Sequence, residues 1–121
     1  MFIKRKYQKL LKQLENYGGA TLDTDGNNKT DLTGFMVSLA GHETKIKRAD
    51  LNLSIFKKYL KKAKQQKAFA GYWVDHEDYD TLYIDVSVCF KKKSEALRFA
   101  KSQNQLAIYD FKNEKTIYLN N

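Results

Sequence analysis

The sequence predicts an α+β fold: an antiparallel sheet of about six strands in three hairpins, with three helices packed on one face. Three observations carry that expectation. Two stretches repeat apolar residues at helical spacing and a third carries helix-start signals, and about six shorter stretches read as extended. The strand-like runs are joined by short turn-rich segments, which argues for antiparallel pairing and helices segregated to one side. At 121 residues the chain supports one hydrophobic core, so residues 1–121 are expected to form a single domain.

The first element is an amphipathic helix, because Ile3, Tyr7, Leu10, Leu11, Leu14 and Tyr17 share a face and Gly18-Gly19 supplies a left-handed stop. Ala20 to Asp23 and Gly34 to Ala40 read as two short strands around the turn-rich DTDGNNKTD, a first hairpin. An extended piece over Glu43 to Lys47 precedes a second helix, capped by Asn52 or Ser54 and running to about Lys67. Phe69 to Val74 and Leu82 to Phe90 form the second hairpin across the acidic turn Asp75-His76-Glu77-Asp78-Tyr79-Asp80. Ser94 is expected to cap a short third helix to about Gln103, with Glu95 where the helix dipole favours an acid. Leu106 to Phe111 and Thr116 to Leu119 close the chain as a third hairpin.

Eight Tyr, seven Phe and one Trp are too many large rings for a disordered chain. A single cysteine, Cys89, excludes an intramolecular disulfide, and two histidines leave a zinc site dependent on carboxylates. A reducing cytoplasm is the expected compartment. No apolar run approaches the roughly 18 residues of a spanning helix, and the start MFIKRKYQ lacks a signal-peptide pattern, so no membrane association is expected.

Charge is the most informative pattern. From Lys45 to Lys67 nine basic residues face the single acid Asp50, whereas Ala68 to Phe90 holds five acids and no base, within a net charge of +8. In the second helix Ile55, Phe56, Tyr59, Leu60 and Ala63 fall on one side. Lys57, Lys58, Lys61, Lys62 and Lys64 fill the other, uninterrupted by an acid. Like-charge neighbours at this spacing cost about 0.2–0.5 kcal/mol each, so solubility alone is a poor reason for them. Lys4, Arg5 and Lys6 sit at a helix N-terminus, where the dipole disfavours cations. Lys9 extends that strip, and Lys91, Lys92 and Lys93 add a third cluster. Only three of the 22 basic residues are Arg, which suits phosphate attraction better than reading base edges. An AT-rich coding background accounts for part of the lysine excess.

Other motifs have structural explanations. The acidic cluster Asp75, His76, Glu77, Asp78 and Asp80 has metal-ligand chemistry, but its place between two strands makes it a solvated turn. Asp23-Thr24-Asp25-Gly26-Asn27 carries its glycine at the fourth position instead of the sixth a calcium loop requires. Cys89 shares a polar strand face with Thr81, Tyr83, Asp85 and Ser87, a face that is either solvated or a site, and no local signature pairs the thiol with His42 or His76. The aromatics of Phe69-Ala70-Gly71-Tyr72-Trp73 depart from the pattern of sheet-type RNA binders and read as core.

Ser94-Glu95-Ala96-Leu97-Arg98-Phe99-Ala100, followed by Asn104-Gln105-Leu106-Ala107-Ile108-Tyr109-Asp110, resembles small accessory proteins of phages and plasmids of low-GC Gram-positive bacteria. That group includes anti-CRISPR-type inhibitors of host defence. The resemblance implies a genomic setting and assigns no residue a role. Together the sequence points to a non-enzymatic module whose basic residues engage nucleic acid or a nucleoprotein complex, as a mobile-element factor acting on a host defence complex, with no cofactor. The alternatives are an adaptor or homo-oligomer that matches basic to acidic patches, and a metal-dependent nuclease built on the acidic turn.

Overall fold

The computed structural model describes residues 2–119. In chain order these form α1 (Phe2–Tyr17), β1 (Gly19–Leu22), β2 (Phe35–Ser38), β3 (Thr44–Lys47), a 3₁₀ turn at Arg48–Asp50 and α2 (Leu53–Gln66). They continue with β4 (Phe69–Val74), β5 (Thr81–Phe90), α3 (Lys93–Ser102), β6 (Ala107–Asp110) and β7 (Lys115–Tyr118). The α+β expectation holds, with seven strands in one antiparallel sheet of order β1-β4-β5-β2-β6-β7.

The seventh strand is β3, which shares one edge of β5 with β2. β3 pairs with Thr81 to Ile84, and β2 pairs with Ser87 to Phe90. Residues 39–43 lie between these two ladders, where the Leu39 amide donates to the Val86 carbonyl and the Ala40 amide to Gln103 Oε1.

The first expected hairpin does not form. β1 pairs with β4, and β2 lies two strands further on, between β5 and β6. Twelve residues separate β1 from β2, longer than the two to five of typical hairpin loops. The turn chemistry in that segment is spent locally: Asp23 Oδ1 accepts the amides of Asp25 and Asn27, and the Lys29 amide donates to the Thr21 carbonyl. The segment folds back on β1 before it crosses to β2. The other two hairpins, β4–β5 and β6–β7, form as expected.

Helix ends follow their local chemistry. Gly18 stops α1 with φ +73°, and the Asn52 side chain accepts the Ile55 amide at 2.9 Å to cap α2. The Ser94 cap is incorrect: α3 begins at Lys93, and its flanking residue Lys92 makes no side-chain cap. β5 runs almost directly into α3, so its first turn closes by the Ala96 amide on the Lys92 carbonyl.

All three helices cover the same side of the sheet. α1 and α2 bury Leu10, Leu14, Phe56, Tyr59, Leu60 and Ala63 against Ala20, Leu22, Ala70, Tyr72, Leu82 and Ile84. α3 buries Ala96 and Ala100 against Val37 and Ile108. Val37 stands opposite Val88, and side chains two apart along β5 share a face, so both clusters lie in one layer. Among the described residues the other face carries Thr21, Phe69, Gly71, Trp73, Asp85 and Ser87, with Gln13 of α1 reaching its edge.

Candidate functional site

Most of the sequence-predicted basic residues are carried by helices that cover one face of the sheet. On α2, Lys57, Lys58, Lys61 and Lys64 are exposed and Lys62 is half-buried, all turned away from buried Phe56, Leu60 and Ala63. Lys58 and Lys62 lean over the Tyr59 ring, at 5.8 and 4.8 Å from its centroid. These two lysines therefore have a local packing partner. Lys57, Lys61 and Lys64 have none of that kind.

On α1, Lys4, Arg5 and Lys9 are exposed, and Lys6 is half-buried with Nζ donating to the Asp25 carbonyl. Gly26, in the loop after β1, sits where an added Cβ would meet Lys6, Phe56 and Leu60 at 3.2 to 3.7 Å. The loop thereby bridges α1 to α2. Its φ of +84° is a left-handed conformation that favours glycine. Between this loop and α1 lies a groove of about 450 Å³ in which Lys6, Lys9 and Lys12 face Asn16, Asn27 and Asn28. Lysines and amides together offer both charge and directional donors to an anionic chain.

Lys91, Lys92 and Lys93 are exposed at the N-terminal end of α3, on the same layer but over the β2–β5–β6 part of the sheet. They sit where the α3 dipole is positive, an unfavourable place for cations. α1 likewise has no acid in its first turn. Among the described residues the one ion pair joins Lys29 to Asp31 at 3.5 Å, so none of the twelve basic residues predicted as a site is neutralised by a carboxylate.

The acidic turn is structural. Asp75 accepts the Glu77 and Asp78 amides and the Tyr83 hydroxyl, and Asp78 accepts the Asp80 amide and the Thr81 hydroxyl. The Glu77 amide, followed by the Asp78 amide and Tyr83, holds the Asp75 carboxyl below the usual carboxylate range. No cluster of three metal-ligating side chains occurs among the described residues. Cys89 donates to the Thr33 carbonyl, and burial pushes its thiol pKa up, which disfavours the thiolate.

The open sheet face holds what sequence reasoning left undecided. Of the aromatic run, Tyr72 alone is core; Phe69 is half-buried and Trp73 is 43% exposed on the open face. Asp85 lies beside them, with Ser87 Oγ donating to Oδ1 at 3.0 Å and Ser38 Oγ approaching Oδ2 at 3.4 Å. Burial raises its pKa and nearby Glu43 adds to the rise, against the hydrogen bonds from Ser87, Trp73 and Ser38. An added Cβ on Gly71 would collide with Asp85 Oδ1 and reach Trp73 Nε1 at 3.0 Å. A glycine inside a strand is the signal that marks such a close approach. Comparison with protein-family models, with curated proteins and with solved structures found no match.

Proposed function

We propose that this protein is a nucleic-acid-binding module whose basic helical layer engages phosphates, acting as a mobile-element factor on a host nucleoprotein complex. The observation that supports the reading most is the unneutralised helical layer: five lysines along α2, four basic residues along α1 and three at the start of α3, without one carboxylate partner among the described residues. Such a layer releases counterions when it meets a polyanion, so affinity falls steeply with salt. Lysine's compact charge and short supply of arginine make the binding tolerant of sequence.

The groove between α1 and the loop after β1 is the part of the surface with shape as well as charge, and we assign it the closest phosphate contact. The test is a fluorescence-anisotropy titration of labelled duplex DNA and structured RNA at several salt concentrations. Binding at low salt that weakens linearly in log–log form supports the reading, and affinity that is absent at low salt or flat with salt overturns it.

A second reading is favoured by one observation: Glu77, Asp78 and Asp80 are exposed at the β4–β5 turn and form no ion pair among the described residues. Opposite charges on one small surface suit head-to-tail association. Light scattering across salt concentrations tests it, and a monomer at every ionic strength removes it.

A further inference from the structure

One cavity of about 530 Å³ touches both Thr21 of β1 and Tyr109 of β6, strands separated by four steps in the sheet order. In a flat sheet four steps span about 19 Å, so the cavity runs across most of the open face. Its floor is Gly71, Asp85, Ser87 and Ser38, and its walls include Trp73 and Tyr109. Volume, aromatic walls and a few convergent polar groups are the marks of a small-molecule site.

Asp85 decides what fits. Its oxygens are met by hydroxyls of Ser87 and Ser38 and by the Trp73 indole, all neutral donors. In a chain of net charge +8 no Lys, Arg or His forms an ion pair with it among the described residues. Lys29, the cation in the cavity lining, is paired with Asp31 at 3.5 Å, and Lys45 of β3 lies over the Tyr83 ring at 5.9 Å. Glu43, one position before β3, adds a second negative charge nearby. A partly buried carboxylate held among aromatic rings and left without a cation is complementary to a cation brought by a ligand.

The shape narrows the class. Tyr109 and Phe111 meet edge to face with centroids 5.2 Å apart, and the Trp73 indole is pinned over Gly19 and Gly71, so the walls offer fixed ring surfaces to a flat body. A planar fork of N–H groups matches a carboxylate with two parallel charge-assisted bonds. We propose that this cavity binds a small planar organic cation of the amidinium or guanidinium type, with its N–H edge on Asp85 and its flat body against Trp73 and Tyr109. The cavity adjoins the basic groove at Gln13 and Asn28, which line both, but its recognition group is Asp85, so its test does not depend on the nucleic-acid reading.

Benzamidine is the probe, with benzamide and benzoate as its neutral and anionic counterparts. Trp73 is the one tryptophan of the chain, so its fluorescence reads the cavity directly, and isothermal titration gives the affinity. Saturable binding of benzamidine at least about tenfold tighter than benzamide, the weight of one charge-assisted bond, with benzoate weaker still, is the expected result. Asp85→Asn should remove that preference while retaining the native circular dichroism, and Tyr109→Ala should weaken benzamidine and benzamide alike. Benzamidine binding no tighter than benzamide overturns the proposal, as does undiminished binding to folded Asp85→Asn. If Asp85→Asn does not fold, the benzamidine-to-benzamide ratio and Tyr109→Ala decide: equal affinities, or binding indifferent to Tyr109, overturn it.

Discussion

Trp73 stands directly opposite Gly19 in the β1–β4 ladder, and its six-membered ring occupies the space where a side chain on Gly19 would begin. The indole is thus laid flat along the edge strand by the absence of one carbon. Ala at position 19 should force the ring to move, at a cost of about 1–3 kcal/mol typical of overpacking. The measurement is a denaturant melt together with the Trp emission maximum, which should shift as the ring leaves its seat. An unchanged spectrum and midpoint would show that the seat is looser than the distances say.

Replacing Lys57, Lys58, Lys61 and Lys62 by Gln tests the basic layer. Two like-charge pairs at i,i+4 disappear, a gain of about 0.2–0.5 kcal/mol each. Two cation–π contacts on Tyr59 are lost, at about 0.5–1 kcal/mol each. The losses outweigh the gains, so stability should fall by no more than about 1.6 kcal/mol. Nucleic-acid affinity should fall, and the salt slope should flatten by about 0.9 per lost phosphate contact. Phe56→Ala should do the opposite, losing about 3–5 kcal/mol because Phe56 is fully buried between Tyr7 and Tyr72. A quadruple variant that stays folded and binds as tightly as the parent makes the lysine face ordinary surface.

Tyr72 is fully buried and its hydroxyl has no protein hydrogen-bond partner among the described residues. Burial, with Tyr59 and Tyr7 nearby, pushes its pKa up, so the phenol stays neutral throughout the working range. Tyr72→Phe keeps the ring and removes the polar atom. Its melting temperature should equal or exceed the parent's, since a buried hydroxyl without a partner costs about 1–3 kcal/mol. A clear loss of stability would reveal a hydrogen bond that the ring geometry does not show.

Asp85 imposes a pH dependence of definite sign. Its folded pKa is raised, so between the unfolded and folded values the native state holds more protons, and stability falls as pH rises through that window. Asp75 and Asp110 act in the other direction, since their folded pKa values are lowered. Their contribution is present above the unfolded value and is lost as pH falls through the folded one. Asp85→Asn should therefore be at least as stable as the parent at neutral pH, and its melts should lose the component that weakens with rising pH. Glu43 stands near enough to add to the Asp85 shift, so Glu43→Gln should lower the Asp85 pKa in an NMR titration.

Local signals were the legible part of this chain. The helical stripes of α1 and α2, the Asn52 cap and the alternation of β4 and β5 rest on neighbours within a few residues, and each appears where the periodicity places it. Strand partnership was not legible in the same way. β1 looked like one arm of a hairpin because the residues after it are turn formers, yet they turn back on β1 itself and the partner comes from fifty residues downstream. The start of α3 was misread because Ser94 is a good cap residue, whereas the strand before it ends only two residues before the helix begins.

The basic residues were readable from composition, and their shared layer follows once the helices are known to cover one face. The Asp85 cavity was not. Its parts come from six strands, and only the interior Gly71 and the polar stripe Asp85-Ser87 hinted at it.

The split edge of β5 has a consequence for tinkering with this molecule. Because β2 and β3 are anchored by separate ladders on either side of Asp85, the excursion through Gly41 belongs to neither, and nothing stands within 4 Å of where a Gly41 side chain would begin. Extra residues spliced in there would lengthen an overhang while both ladders kept their register. That makes the excursion the natural graft point for a reporter or an added recognition peptide.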